Sequence, residues 1–370
     1  MLIGTSTSAH QVEGNNKRSD WWHFENLGKL PFKSGSGCGQ YNHYREDISI
    51  MKKLHLNAYR FSIEMARVFP KEGKVDVNAI RHYKRLISDL NDAGIEPIPT
   101  LWHYTLPLWF YRMGGFEKRA NFKHFKNYVS ALLSEGLDVK YVLTINEPVI
   151  YAFRSYVMKE YPPFRGSLIR FFPILDNLLE LHNEVYDMLK PYGYKVSFAN
   201  NFIKFGGDVL LYPLAAALDY IFNRKPMVYT KFDFVGVNYY RSVSPVKFIL
   251  SKLTPRKKIW LVDPDGLEKT LEEQYTMFGK PVMITENGVS TMDENFRAKF
   301  IKTHFASVLS AKRKGVPVLG YLYWSLLDNF EWNYGYNETY GLVSFDQKTK
   351  KRTIKPSASA LADIAKKYGR

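Results

Sequence analysis

Short runs of β-forming residues alternate with longer amphipathic stretches along the chain, and this alternation constrains the fold more than any other feature. Eight runs can be traced: Leu2–Ser6, Asn57–Ile63, Glu96–Trp102, Val139–Ile145, Lys195–Asn200, Phe234–Tyr239, Val282–Thr285 and Val318–Trp324. Strands spaced in this way by helical segments form a parallel sheet with crossover helices. Ala79–Ala93 places Ile80, Tyr83, Leu86, Ile87 and Leu90 near helical spacing and meets Gly94 as a stop. Phe122–Ser134 and Glu294–Lys314 read in the same way, the latter ended by Gly315. Eight strand–helix units with no linker or internal repeat predict an α/β fold, a single (β/α)8 barrel over residues 1–370. The length of 370 residues suits one such barrel, and 45% apolar residues supply its core.

Two of these runs lead into a glutamate. Glu147 follows the fourth, in Thr144-Ile145-Asn146-Glu147-Pro148, and Glu286 follows the seventh, in Ile284-Thr285-Glu286-Asn287-Gly288. The carboxyl ends of barrel strands are where such folds display reactive side chains. Two carboxyl groups brought together there fit glycoside hydrolysis, with one as nucleophile and one as proton donor about 5–5.5 Å apart in a retaining enzyme. Neighbouring residues suit a sugar site. Asn146 can bind a sugar hydroxyl, and Arg60 in the second run can hold the nucleophile ionised. Tyr240 can donate a hydrogen bond to the same carboxylate. Trp102-His103, Trp324 and Glu331-Trp332 offer stacking surfaces and polar partners. Taken singly, each has an ordinary structural explanation. A strand-end Glu commonly caps a helix, Glu-Asn-Gly is a turn sequence, a lone Arg or His is commonly a structural residue, and tryptophans fill cores. Their concentration near strand ends favours the functional explanation.

Other chemistry finds little support. There is no Cys/His cluster or His-Glu-x-x-His for a metal, no glycine-rich phosphate or dinucleotide loop, and no cofactor is expected. Cys38 is the one cysteine, which excludes an internal disulfide and fits a reducing, cytoplasmic setting. The start Met1-Leu2-Ile3-Gly4-Thr5 carries no secretory pattern, and the apolar run Val209–Leu218 is too short to span a bilayer. The net charge of +16 reads as a Lys-rich solvated surface, with no nucleic-acid partner expected. Basic and apolar residues do mix in Lys247–Leu253, Arg256–Trp260 and Arg165–Phe172, so contact with a membrane surface is kept as a peripheral alternative.

Together these motifs resemble glycoside hydrolase family 1, the β-glucosidase and β-galactosidase family, nearly end to end. The resemblance rests on Gln11-Val12-Glu13-Gly14, Tyr59 to Glu64, Trp102-His103, Thr144 to Pro148, Asn238-Tyr239-Tyr240, Thr285 to Gly288, and Trp324 to Trp332. It implies a TIM barrel and a retaining double displacement on a β-linked glycoside, with Glu286 as nucleophile and Glu147 as acid/base. It also implies that Gln11, His103, Asn146, Asn238, Glu331 and Trp332 bind the non-reducing sugar or frame its pocket. Trp324 would be the stacking platform and Tyr340 an aromatic at the pocket's edge. Family members specific for 6-phosphorylated sugars lack the Glu-Trp pair, so Glu331-Trp332 implies an unphosphorylated sugar.

The chain departs from the family pattern in several places. It is shorter than usual, Met65 stands where Trp is common, Tyr104-Thr105 replaces an aromatic-Asp pair, and Ser155-Tyr156 replaces Gly before an aromatic. These departures bear on the leaving-group side rather than on the two carboxyl groups. Short loops with a Lys-rich, single-cysteine composition suit a thermophile. A non-catalytic sugar-binding barrel and a membrane-surface enzyme acting on alkyl glycosides are the alternatives. Sugar preference and oligomeric state are not written in the sequence.

Overall fold

The computed structural model describes residues 1–205, 212–243 and 262–369. The basic stretches Lys247–Leu253 and Arg256–Trp260 therefore lie outside the described residues, as does the start of the Val209–Leu218 run. Eight parallel strands close into a barrel in sequence order: β1 (Leu2–Ser6), β2 (Ala58–Ser62), β3 (Glu96–Trp102), β4 (Tyr141–Asn146), β5 (Lys195–Phe205), β6 (Val235–Val243), β7 (Val282–Asn287) and β8 (Val318–Trp324). Closure comes from β8 pairing in parallel with β1, from Leu2 opposite Gly320 to Ser6 opposite Trp324. Each strand is followed by a helix on the outside: α1 (Gln40–Lys53), α2 (Val77–Asp92), α3 (Phe122–Glu135), α4 (Leu168–Leu189), α5 (Tyr212–Asp219), α6 (Pro264–Phe278), α7 (Glu294–Arg313) and α8 (Ala358–Tyr368). This is the (β/α)8 barrel that the alternation predicts.

One helix start and two strand ends differ from the sequence expectation for identifiable reasons. Helix α2 starts at Val77 rather than Ala79, because the Asp76 carboxylate accepts from the backbone N–H groups of Asn78 and Ala79 and so caps the helix two residues earlier. The expected apolar stripe is buried throughout: Ile80, Tyr83, Leu86, Ile87 and Leu90. Strands β5 and β6 both run past their expected ends. Beyond the polar pair Asn200-Asn201 they keep pairing, with Asn201 opposite Asn238, Lys204 opposite Ser242 and Phe205 opposite Val243. Side-chain polarity hid this extension, since backbone pairing is indifferent to it.

The barrel interior separates into two levels. Its lower part is apolar, filled by Ala58, Ile98, Tyr141, Leu143, Ala199, Phe234, Met283 and Leu322 from seven strands or their edges. The upper part is polar and buried, holding Arg60, Thr100, Asn146, Asn238 and Thr285. Buried polar atoms must find partners, and the way these find them builds the site.

Candidate active site

Arg60 is fully buried at the centre of the upper barrel, and its guanidinium fork sets the geometry around it. Nε donates to Thr100 Oγ1 at 3.0 Å, and Nη1 donates to the Thr285 carbonyl at 3.2 Å and to Glu286 Oε1 at 2.6 Å. Nη2 donates to Asn146 Oδ1 at 2.7 Å. With its oxygen facing Arg60, Asn146 must point its amide nitrogen the other way, where Nδ2 lies 3.1 Å from His103 Nε2. His103 Nε2 then accepts, so the ring proton sits on Nδ1. That nitrogen is buried without a protein partner and belongs to a residue lining the cleft. Burial, reinforced by the Arg60 charge, holds the His103 ring neutral by moving its pKa well below the usual histidine value. The arrangement gives a neutral N–H donor suited to a hydroxyl.

The two glutamates sit in different company. Glu286 has an ion pair with Arg60 on Oε1 and accepts from the Tyr240 hydroxyl on Oε2 at 2.6 Å. Burial is the main influence on its pKa and pushes it up to about 7. The Glu147 charge adds to the rise, while Arg60 and Tyr240 oppose it. The sequence expectation that Arg60 favours the ionised form therefore has the right sign, but burial outweighs it in the unliganded site. The hydrogen bonds to Glu147 among the described residues come from neutral donors: Asn238 Nδ2 at 2.8 Å and Asn201 Nδ2 at 2.6 Å on Oε1, and the Tyr104 hydroxyl on Oε2. The Glu147 backbone is left-handed, at φ 45° and ψ 62°, where the chain turns from β4 into the short helix Pro148–Ala152. Such a conformation costs about 1–3 kcal/mol for a non-glycine residue. It is held by the Glu147 N–H bond to the Ala199 carbonyl at 2.7 Å and by Pro148 starting the next helix.

The third carboxyl group comes from the loop after β8. Phe330 N–H donates to the Gln11 carbonyl at 3.1 Å, and Gln11 Nε2 approaches Asn329 Oδ1, the Phe330 carbonyl and Glu331 Oε2 at 2.9, 3.0 and 3.1 Å. Asp328 fixes the base of the loop by accepting from Gly341 N–H at 2.9 Å and from Lys355 Nζ at 2.8 Å. Glu331 and Trp332 are thereby turned inward. Burial, with repulsion from Glu286 and Glu338, pushes Glu331 up to about 8. Trp332 stacks near-parallel to His103 at 6.1 Å, and Trp324 stacks on the same ring at 6.0 Å. Gly288, which could be read as a turn residue, serves close approach instead. A Cβ there would lie 1.9 Å from the Trp324 carbonyl oxygen.

One open-mouthed cleft is lined by Gln11, His103, Asn146, Glu147, Tyr240, Glu286, Trp324, Glu331, Trp332 and Tyr340. The sequence expectation named all ten. Arg60 and Asn238 stand behind the wall, where they orient Glu286, Asn146 and Glu147. Tyr340 meets Tyr240 edge-on at 6.2 Å, at the cleft's margin. The sequence reading missed Tyr104, Ile150, Arg154, Tyr161, Asn201, Ile203 and Arg241, which complete the lining. A signal existed for Tyr104, which stands beside His103 where the family pattern changes. Asn201, Ile203 and Arg241 required knowing that β5 and β6 extend. Cys38, the one candidate thiol nucleophile, is buried away from this lining, and burial raises its pKa. Among the described residues no group of three His, Cys, Asp or Glu side chains is placed to hold a metal ion.

Known proteins share both the sequence pattern and the architecture. The family model described as glycosyl hydrolase family 1 matches residues 1–205 and 223–370. β-Glucosidase A of Thermotoga maritima is 28% identical over 100% of this chain and 97% of its own. β-Glucosidase 44 of Arabidopsis thaliana is 30% identical over 99% of this chain and 90% of its own. Among solved structures, a β-glycosidase from Pyrococcus horikoshii superposes with a TM-score of 0.90 at 37% identity, covering 98% of this chain and 93% of that one. The Thermotoga and Pyrococcus relatives agree with the thermophile-type composition. A barrel with two strand-end glutamates in one cleft, matched over nearly its whole length by these proteins, leaves one assignment: the chain belongs to glycosyl hydrolase family 1 and is a glycoside hydrolase.

Proposed function

We propose that the enzyme is an exo-acting, retaining β-glycosidase that hydrolyses β-glucosides and β-galactosides by double displacement, the whole chain working as one catalytic domain. The observation that carries this reading is the asymmetric pair in one cleft: Glu286 ion-paired to Arg60 and hydrogen-bonded by a hydroxyl, Glu147 hydrogen-bonded by two amides and a hydroxyl. In the first step Glu286 attacks the anomeric carbon while the Glu147 carboxyl gives its proton to the departing oxygen. In the second, Glu147 takes a proton from water, which then displaces the Glu286 ester. Esterification removes the negative charge beside Glu147, which favours its deprotonation between the two steps. Neutral His103 offers Nδ1–H to a sugar hydroxyl, and Gln11 and Glu331 meet other hydroxyls. Trp324 and Trp332 supply apolar faces. The Thermotoga maritima β-glucosidase has been solved with glucoimidazole and with galacto-hydroximolactam, which supports both the gluco and the galacto readings. A proton NMR time course on aryl β-glucosides and β-galactosides tests the proposal. The β-anomer of the sugar should appear first. Early α-anomer would overturn the retaining mechanism, and no cleavage of any substrate would favour a sugar-binding barrel.

One observation favours a second reading, a membrane-surface enzyme preferring alkyl glycosides. The first turn of α4 exposes Leu168 and Ile169 by 70% and 88%, with Phe172 also exposed. Lys225 lies over the Phe172 and Tyr229 rings at 5.9 and 5.0 Å, and Arg165 and Arg170 are adjacent in sequence. Among the described residues no helix is long and apolar enough to cross a membrane, so any contact through these groups would be peripheral. Sedimentation with anionic liposomes at low salt, reversed at high salt, is the expected result. Absence of binding at both would remove this reading.

A further inference from the structure

Tyr104 is held in a backbone conformation that a tyrosine rarely adopts. Its φ is 72°, in the left-handed region. The Thr105 N–H reaches back to the His103 carbonyl at 3.0 Å and closes a three-residue turn around it. Such strain persists only where the surroundings fix it, and it gathers at functional sites. Here the fixing groups are buried. Trp102 Nε1–H donates to the Thr105 carbonyl at 2.8 Å, the Thr105 hydroxyl donates to Glu64 Oε2 at 2.7 Å, and Leu106 N–H donates to Asp20 Oδ1 at 2.9 Å. The Tyr104 ring lies against Trp332 at 5.2 Å and Tyr161 at 5.6 Å. What the turn achieves is the position of one hydroxyl, which donates to Glu147 Oε2.

The two oxygens of Glu147 are not equivalent. Oε1 accepts from Asn238 Nδ2 at 2.8 Å and from Asn201 Nδ2 at 2.6 Å. Asn238 cannot turn its amide round. Its Nδ2 also donates to Asn146 Oδ1 at 3.1 Å, an oxygen that Arg60 fixes, and its Oδ1 accepts from the Thr285 hydroxyl at 2.7 Å. Two N–H groups fill both lone pairs of Oε1, so a proton on this carboxyl belongs on Oε2. There the Tyr104 hydroxyl takes one position and leaves the other to that proton. Burial, reinforced by the Glu147 charge, raises the Tyr104 pKa well above the usual phenol value, so the phenol keeps its own proton and remains a donor. We propose that Tyr104 is a positioning residue for proton transfer, fixing the Glu147 carboxyl so that Oε2 gives its proton to the departing oxygen and later takes one from water. No proton passes through the phenol. This inference rests on the acid/base role of Glu147 in the β-glycosidase reading, and adds to it the oxygen that reacts and the residue that selects it.

Tyr104→Phe removes the hydroxyl and keeps the ring. The test measures kcat/KM of the unaltered enzyme and of this variant on alkyl, phenyl and 2,4-dinitrophenyl β-D-glucosides, ordered by the acidity of the leaving group. The expected loss is about ten- to a hundredfold on the alkyl and phenyl glucosides, which need protonation, and less than about threefold on the dinitrophenyl glucoside, which does not. The dependence on the leaving group therefore becomes steeper, and the retained dinitrophenyl rate shows that the variant folds. If Tyr104→Phe does not fold, Tyr104→Met supplies a flexible apolar side chain without a donor and should steepen the dependence in the same way. Equal losses on good and poor leaving groups would give the hydroxyl a structural role alone, and an unchanged profile would give it none. Either result overturns the proposal while leaving the glycosidase reading intact. Failure of the unaltered enzyme to cleave any of these glucosides would instead overturn the glycosidase reading, and this inference with it.

Discussion

The ends of β4 and β7 present the same side chain in opposite settings. At β7, Glu286 meets a buried guanidinium and a phenol. At β4, Glu147 meets two amides and a phenol, with no cation among these bonds. A group that must stay anionic to attack gains from a fixed positive charge. A group that must hold a proton in one step and lose it in the next is better served without a fixed charge on it, since neutral donors favour the ionised form less strongly than a cation does. The backbones differ as well. Glu286 lies within β7, where the pairing with β6 and β8 shifts register, while Glu147 takes a left-handed conformation just past the end of β4.

The largest effect should come from breaking the β7 end. Glu286→Gln should lower kcat/KM by at least about 10⁴-fold on every glycoside, whatever the leaving group. Breaking the β4 end should be selective. Glu147→Ala should cost about 10²–10⁴-fold on alkyl glycosides, which need protonation, and much less on 2,4-dinitrophenyl glycosides. Equal losses on both would erase the distinction between the carboxyl groups. A finer test moves the titration of Glu286. Because Arg60 and Tyr240 both oppose the rise in its pKa, Tyr240→Phe should push the value above about 7. The acid limb of the kcat/KM profile would then shift to higher pH, and Arg60→Gln should shift it further. An unmoved limb would mean that Glu286 does not govern it.

The smallest expected effect concerns Glu331, whose pKa is raised to about 8 by burial and neighbouring acids. A carboxyl with a raised folded-state pKa contributes stability below the ordinary carboxylate range, and that contribution is lost as pH rises through about 8. Glu331→Gln should therefore leave the unliganded protein's melting temperature nearly unchanged at pH 5 and raise it at pH 8. A larger gain at pH 5 than at pH 8 would contradict that sign.

The legible and illegible parts of this molecule divide along the same line. The barrel was readable because β-forming runs and helical stripes are periodic, and the Leu2–Ser6, Glu96–Trp102 and Val318–Trp324 boundaries agree residue for residue with the structure. Much of the cleft was readable because Gln11, His103, Glu286 and Glu331 sit in contiguous motifs at or just beyond strand ends. The part of the cleft at the ends of β5 and β6 was not. Asn201, Ile203 and Arg241 enter the cleft only because β5 and β6 pair beyond their apolar segments, and pairing of backbone leaves no mark on side-chain pattern. Tyr104 was visible as a departure from the family pattern. Its bond to Glu147 depends on a left-handed backbone at φ 72°, which the sequence does not announce.

The division of roles between the two glutamates is tested most directly by trapping the intermediate. A 2-deoxy-2-fluoro-β-D-glucoside with a dinitrophenolate leaving group should load the enzyme quickly and release it slowly, since fluorine slows both steps and the leaving group accelerates only the first. Mass spectrometry of the digested protein should then find one fluoroglucosyl group per chain, on the peptide containing Glu286. Label on the Glu147 peptide would reverse the assignment. Turnover with no accumulating label and an α-anomer product would contradict the double displacement itself.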